Sequence, residues 1–147
     1  MGVAFKVACA LLEEVPEEFL DLYAIGTIAD LVSMTDENRL LVKLGLQLIP
    51  ETSRIGLQKL IAVAGVETSQ IDEETIGFTV APRINAVGRL GDASQAVELL
   101  TTFDEEQATA IAKDINATNT KRQGLVNEIM RWRQKLLKMK TIAIYRP

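Results

Sequence analysis

The stretch "DEEQATAIAKDINATNTKRQGLVNEIMRWRQKLLKMK", residues 104–140, decides how the chain is organised. It contains no proline, and Gly124 is the only residue in it that interrupts a helical pattern. At ~1.5 Å of rise per residue, the helix predicted over 104–139 is roughly 50 Å long, and a helix of that length usually connects two bodies. After it, "TIAIYR" alternates β-branched and apolar residues, so we expect a short terminal strand that enters a further domain.

The residues before this stretch follow a helical pattern nearly throughout, because the breakers stand between the periodic segments rather than inside them. We expect helices over 3–14, 18–29, 34–48 and 56–64, and two more that meet near Gly91. The second of these helices is apolar on almost every side and should be buried. The sequence therefore predicts a mainly α fold with one long helix and one short terminal strand.

Composition bounds the classes of function. The chain has 147 residues, 48% of them apolar, which is enough to bury a core, and its net charge of −4 argues weakly against a dedicated nucleic-acid coat. The segment 121–147 is nevertheless basic, with Glu128 as its single acid. With Trp132 among these charges it could track a nucleic-acid backbone, although a solvated helix face is the commoner explanation.

Residue types also exclude several chemistries. The absence of histidine and the single Cys9 exclude the usual zinc sites and the Ser–His and Cys–His nucleophile pairs. A lone cysteine cannot form an internal disulfide, so we expect a cytoplasmic protein. No apolar run approaches the ~18 residues of a membrane span, and we expect no membrane partner. Chemistry must then rest on carboxylates, arginines and bound ions.

Asp30 is the first candidate site residue. It ends the apolar run "LYAIGTIAD", and a carboxylate at a helix C-terminus meets the negative end of the helix dipole. A bound Mg²⁺ or Mn²⁺ would supply the missing positive charge and accept an oxygen ligand. By residue type alone, a solvated carboxylate or a cap of the following turn is the favoured interpretation.

The stretch "APRINAVGRLGDAS", residues 81–94, carries the second candidate site. On a helix, Asn85 and Arg89 share one face at i and i+4, while Arg83 points elsewhere. A guanidinium group can donate two parallel hydrogen bonds to two oxygens of one phosphate, so a phosphodiester is the natural partner of these arginines. From the residues alone, internal pairing of the arginines with Asp92 or with glutamates is equally well supported.

Two weaker anion candidates flank this site in the sequence. "DASQ" at 92–95 predicts a capping box that opens a helix, whose amides and Ser94 hydroxyl could receive an anion, although Asp92 competes for them as an ordinary cap. Arg54 follows Pro50 in a loop and is a further phosphate candidate, for which an ordinary surface arginine is the favoured interpretation.

With these residues in view, the chain resembles the RecJ family of single-strand-specific DNA exonucleases, in the DHH phosphoesterase superfamily. The resemblance covers essentially the whole chain and rests on "GTIAD" (26–30) and "APRINAVGRLGDASQAVELL" (81–100). It implies that Asp30 binds Mn²⁺ or Mg²⁺, and that Arg83, Asn85 and Arg89 hold the phosphate at the scissile bond, with Arg54 and Ser94 as further nucleic-acid contacts. It implies 5′-to-3′ hydrolysis of single-stranded DNA and partners among recombination and repair proteins.

The resemblance also implies a domain organisation. Residues 1–103 would form the helical end of a DHH catalytic domain, 104–140 the interdomain connector helix, and 141–147 the first strand of a second domain. The family's Asp-His-His signature and its other metal ligands lie upstream of these motifs and are absent from the chain. We therefore expect an internal segment with an incomplete metal site and no nuclease activity of its own.

One rival function belongs to another class. A helical module that binds protein and never touches DNA would suit the acidic body of the chain. Binding of short single strands that weakens steeply with salt would favour the nuclease hypothesis, since phosphate contacts release counterions.

Overall fold

The computed structural model describes residues 1–90 and 92–144, and over these residues the chain is helical without a strand. The mainly α prediction is confirmed. The helices are α1 (Gly2–Leu12), α2 (Leu20–Ala29), α3 (Asp36–Leu48), α4 (Ile55–Val63), α5 (Glu73–Thr75), α6 (Ala81–Leu90), α7 (Ser94–Thr101) and α8 (Glu105–Ile144). Short 3-10 turns span Glu17–Phe19, Ile49–Glu51 and Thr68–Gln70, and a π-helical turn, Ile76–Val80, joins α5 to α6.

The end of the chain differs from the expectation. Residues 141–144 continue α8, so the strand predicted from "TIAIYR" is wrong for these residues, while 145–147 lie outside the described part. A strand needs a neighbouring strand to receive its backbone N–H and C=O groups, and the described residues provide none. A helix satisfies those groups within the segment itself, and the β-branched residues cost it only ~0.5 kcal/mol each.

The buried helix α2 forms one of the two main parts of the hydrophobic core. As predicted, it is buried on most sides, and its buried apolar side chains are Leu20, Tyr23, Ala24, Ile25 and Ile28. It packs closely on α3, where a side chain at Gly45 would collide with the carbonyl oxygen of Leu20. The close approach of these two helices therefore depends on a residue without a side chain.

The N-terminal half of α8 forms the other main part of the hydrophobic core. Ala108, Ala112 and Ile115 are fully buried, and α8 packs on α4 and on α6. From Leu125 to Leu137 the apolar side chains of α8 are exposed, among them Ile129 and Trp132, each 65% exposed. None of the described helices is both long enough and apolar enough to cross a membrane.

The helical segment from α5 to α6 carries the candidate site, and Pro82 explains its shape. A proline inside a helix has no N–H to donate, and its ring clashes with the carbonyl four residues earlier. The chain widens into the π-helical turn directly before it, with the Ala81 N–H bonded to the carbonyl of Ile76. The buried side chains Val80 and Val87 hold this segment on the core, so its polar side chains lie on the remaining faces.

Candidate phosphate-binding site

Asn85 and Arg89 line one small cavity where α6 meets α8. The cavity has a volume of about 180 Å³ and is lined by Pro82, Asn85, Arg89 and Arg122. Since one water takes up ~30 Å³, a phosphate group and several waters would fit. Asn85 and Arg89 are exposed, and neither bonds to any side chain in the described part of the chain. The face predicted from their i, i+4 spacing is therefore open to a ligand.

Arg83 has a different position and different partners. Its Nε donates to Asn116 Oδ1 of α8 at 2.9 Å, and its Nη1 donates to the carbonyl of Thr79 at 2.6 Å. The side chain is half-buried, and burial lowers the pKa of the Arg83 guanidinium from its usual value. Arg83 thus ties α6 to α8 beside the cavity rather than lining it.

Arg122 is the cavity residue that sequence reasoning did not single out. It was one of several basic residues in the tail of α8, yet its Nε is buried without an acceptor among the described residues. One turn earlier, Asn119 is 1% exposed and its Oδ1 has no donor there either. The signal that could have revealed them is their spacing, because positions 119 and 122 continue the buried stripe of 108, 112 and 115.

Ser94 lies at the start of α7 in a local cap. Its N–H donates to Asp92 Oδ1 at 2.9 Å, and this bond holds the pKa of the Asp92 carboxyl below its usual range. The amide offered to an anion is thus already bonded. The return bond that a capping box would need from the Gln95 side chain does not occur among the described residues. The geometry favours the ordinary cap over an anion site.

Arg54 lies in another part of the molecule and has internal partners for every side-chain nitrogen. Its Nε contacts Asp21 Oδ1 and Oδ2 at 3.3 and 3.2 Å. Its Nη2 donates to the carbonyl of Glu18 at 2.9 Å and its Nη1 to that of Leu100 at 3.4 Å. The guanidinium also lies 5.7 Å from the centre of the Phe19 ring. These contacts favour a structural role for Arg54.

Asp21, the partner of Arg54, is a second residue that sequence reasoning missed. It is 4% exposed on an otherwise apolar helix and accepts bonds from Thr52 Oγ1 at 2.7 Å and from the Leu22 N–H at 2.6 Å. An acidic residue in the first turn of a helix is favourable to the helix dipole, which made Asp21 look ordinary. Its carboxylate instead joins α2 to the loop before α4.

Asp30 lies at the C-terminal end of α2, where the helix closes with two characteristic bonds. The N–H of Leu31 donates to the carbonyl of Ile28, and that of Val32 to the carbonyl of Thr27, at 3.1 and 3.3 Å. Leu31 has a φ of 52°, a position usually taken by glycine in this motif. The exposed Asp30 carboxylate accepts no hydrogen bond from the described residues, so it does not cap the turn.

The surroundings of Asp30 bear on its use as a metal ligand. A carboxylate oxygen suits Mn²⁺ or Mg²⁺, but the described residues contain no group of three or more potential ligands. The nearby Ile28 packs against the π-helical turn, where an added Cβ at Gly77 would lie 3.4 Å from its Cγ2. Asp30 therefore fits as one ligand, held at the end of a helix that is packed on the segment leading into α6.

Comparison with known proteins connects this arrangement to a family, although no protein-family model matches the chain. It is 50% identical over 129 residues to the single-stranded-DNA-specific exonuclease RecJ of Bacillus subtilis (strain 168), which covers 88% of this chain and 16% of that protein. The exonuclease RecJ of Thermus thermophilus is 40% identical over 134 residues, covering 88% of this chain and 20% of that protein. The chain thus spans a fifth or less of these relatives.

Solved structures agree with these sequence relatives. The crystal structure of RecJ from Thermus thermophilus in complex with Mn²⁺ superposes with a TM-score of 0.76 at 39% identity, covering 84% of this chain and 19% of that one. The structure of the same protein in complex with Mg²⁺ also gives 0.76. The resemblance noted in the sequence is confirmed: over the residues that align, the chain is similar to RecJ exonucleases.

Proposed function

We propose that this chain is part of a metal-dependent exonuclease that removes nucleotides from single-stranded DNA in the 5′-to-3′ direction. Residues 1–103 would supply the helical end of the catalytic domain, residues 104–140 the connector helix, and residues 141–147 would lead toward a second domain. The support is the identity with RecJ exonucleases over most of this chain and the likeness to RecJ structures in complex with Mn²⁺ and Mg²⁺.

The observation that carries the proposal is the open cavity between α6 and α8. Arg89 and Asn85 offer a guanidinium and an amide to a space that no acidic side chain in the described part of the chain lines. In the proposed enzyme these two groups bind the phosphate at the scissile bond and stabilise the negative charge that develops there. Arg83 is a positioning residue, since its bonds to Asn116 and Thr79 fix α6 relative to α8.

Asp30 would hold one divalent ion. Such an ion, when bound, lowers the pKa of a coordinated water and neutralises phosphate charge. The remaining ligands are not provided by the described residues, and we therefore propose that the chain alone does not hydrolyse DNA. Incubation of the purified chain with Mn²⁺ and labelled single-stranded DNA checks this point, and shortening of the labelled strand would contradict it.

The proposed cellular setting follows from the substrate. Single-stranded DNA arises during recombination and repair, so recombination and repair proteins are the proposed partners. A cytoplasmic location is proposed on the same basis, together with the single Cys9, which has no partner within the chain for a disulfide.

Binding of a labelled oligothymidine of about 12 nucleotides tests the proposed function. Fluorescence anisotropy at ~50 and ~200 mM NaCl should show affinity that falls steeply with salt, because the cationic side chains that contact phosphates displace counterions from the DNA. Arg89→Gln should weaken binding by ~10-fold, while Arg39→Gln, which removes another exposed arginine that lies outside the cavity, should not. Salt-insensitive binding, or equal effects of the two variants, would instead support a protein-interaction module.

A further inference from the structure

The environment of Arg122 sets it apart from the other basic residues of α8. Its Nε is buried without an acceptor, and no described residue forms a hydrogen bond or an ion pair with its guanidinium. Leaving a buried donor unbonded is unfavourable, so a folded protein normally supplies an acceptor. The same residue lines the cavity that Asn85 and Arg89 also line.

The charge around this cavity has one sign. Two guanidiniums, of Arg89 and Arg122, border a space of about 180 Å³, and no carboxylate of the described residues lines it. Like charges that share a small cavity repel each other, and the repulsion adds to the cost of the buried Nε. A single anion in the cavity offsets this repulsion, because a guanidinium can direct N–H groups at the oxygens of an anion.

We propose that Arg122 is a further substrate-binding residue, which contacts the same DNA phosphate as Arg89 and Asn85 from the connector helix. This inference rests on the proposed function and extends it from α6 to α8. The phosphate site is then shared by two helices, and the Arg83–Asn116 bond beside it sets their separation.

Nuclear magnetic resonance tests the assignment on the unchanged chain, with inorganic phosphate as the probe. The Nε–Hε signal of Arg122 should shift and saturate as phosphate is added, because an anion bound beside the guanidinium changes the electrostatic environment of this N–H group. The corresponding signal of Arg39, an exposed arginine on α3, should move only slightly. A shift of Arg122 no larger than that of Arg39 overturns the inference, whether or not any variant folds.

Variants extend the test to DNA. Arg122→Gln should weaken binding of the labelled oligothymidine by ~10-fold and lower the slope of log affinity against log salt by ~0.7, the value for one phosphate contact on a single strand. Arg122→Lys keeps the charge without the paired donors and should recover the slope but only part of the affinity. Arg39→Gln is the matched control, and thermal unfolding establishes that each variant is folded.

The Arg89→Gln variant separates this inference from the proposed function. If Arg89→Gln weakens binding and Arg122→Gln behaves like Arg39→Gln, the phosphate site is confined to α6 and the inference on Arg122 is overturned. If neither Arg89→Gln nor Arg122→Gln differs from Arg39→Gln, the proposed function is overturned together with the inference. Loss of affinity in both variants supports both.

Discussion

Two half-buried arginines of this chain, Arg54 and Arg122, show how differently the same residue type is used. Arg54 directs its nitrogens at Asp21 and two backbone carbonyls, so its site is closed. Among the residues that the structure describes, the buried Nε of Arg122 has no acceptor and no acid lines the cavity it shares with Arg89, so its site is open. Exposure alone does not distinguish them. Their hydrogen-bond partners distinguish them. The partners of Arg54 indicate a structural role, and the lack of partners for Arg122 among the described residues indicates a ligand-binding role.

The largest expected effect is at the closed site. Asp21→Asn should lower the free energy of unfolding by about 3 kcal/mol, because removing one charge of a buried pair leaves the other without compensation. Urea denaturation measures the loss. Asp114→Asn, which changes an exposed aspartate of α8, should alter stability by less than ~0.5 kcal/mol. Equal losses in the two variants would show that the Asp21–Arg54 pair does not stabilise the fold.

The next effect distinguishes the closed site from the open one directly. Arg54→Gln should cost about 2 kcal/mol of stability while leaving single-strand binding unchanged in the folded protein. Arg89→Gln should do the reverse, with ~10-fold weaker binding, or about 1.4 kcal/mol, and little change in unfolding. Denaturation and anisotropy on both variants give the comparison. Weaker DNA binding by folded Arg54→Gln would restore Arg54 as a phosphate contact.

A smaller effect is expected at the junction of α6 and α8. Asn116→Ala removes the acceptor of Arg83 Nε and should destabilise the protein by about 1 kcal/mol, the usual net value of one hydrogen bond. Asn127→Ala, at an exposed position of the same helix, is the control for helix propensity. Indistinguishable urea midpoints would mean that Arg83 does not join the two helices.

A substitution at Leu31, next to Asp30, is expected to stabilise the protein rather than destabilise it. Its positive φ costs an L-residue about 1 kcal/mol, and glycine avoids that cost but loses more conformational entropy on folding. Leu31→Gly should therefore stabilise the protein by roughly 0.5 kcal/mol, whereas Leu31→Ala, which keeps the Cβ, should not. A stabilised Leu31→Ala would show that the exposed leucine side chain, rather than the backbone, causes the cost.

The smallest effect concerns the cap of α7. The bond from the Ser94 N–H lowers the folded-state pKa of Asp92 below its unfolded value. The resulting stability is present above the unfolded pKa and is lost as the pH falls through the folded one. Denaturation midpoints between about pH 5 and pH 2 should thus fall less steeply in Asp92→Asn than in the unchanged chain. Parallel curves would assign no such role to the cap.

Much of the fold was predictable from local pattern. The long helix after Asp104 is confirmed, and so is the helix predicted over 56–64, which the structure has at Ile55–Val63. The strand over 141–144 was wrong because alternation describes a strand only where a partner strand exists. The π-helical turn was not predicted either, although Pro82 marks the place where an ordinary helix must deform.

The candidate site was predictable only in part. Asn85 and Arg89 followed from helical spacing, since i and i+4 share a face wherever the helix lies. Arg122 did not, because it lies on another helix and more than 30 residues after Arg89 in the chain. No local pattern shows which helices contact each other. The metal role of Asp30 remains a prediction, to which the structure adds an exposed carboxylate that forms no hydrogen bond with the described residues.

The sequence by itself determined which segments are helical and which side chains share a helical face, because both depend on neighbours three or four residues away. It also carried the family resemblance in two short motifs. Only the tertiary structure decided the surroundings of each charge: Arg54 pairs with Asp21, Arg83 joins α6 to α8, and Arg89 lines the same cavity as Arg122. The physical reason is that a guanidinium takes its role from the acceptors within about 3 Å of it, and packing sets those acceptors.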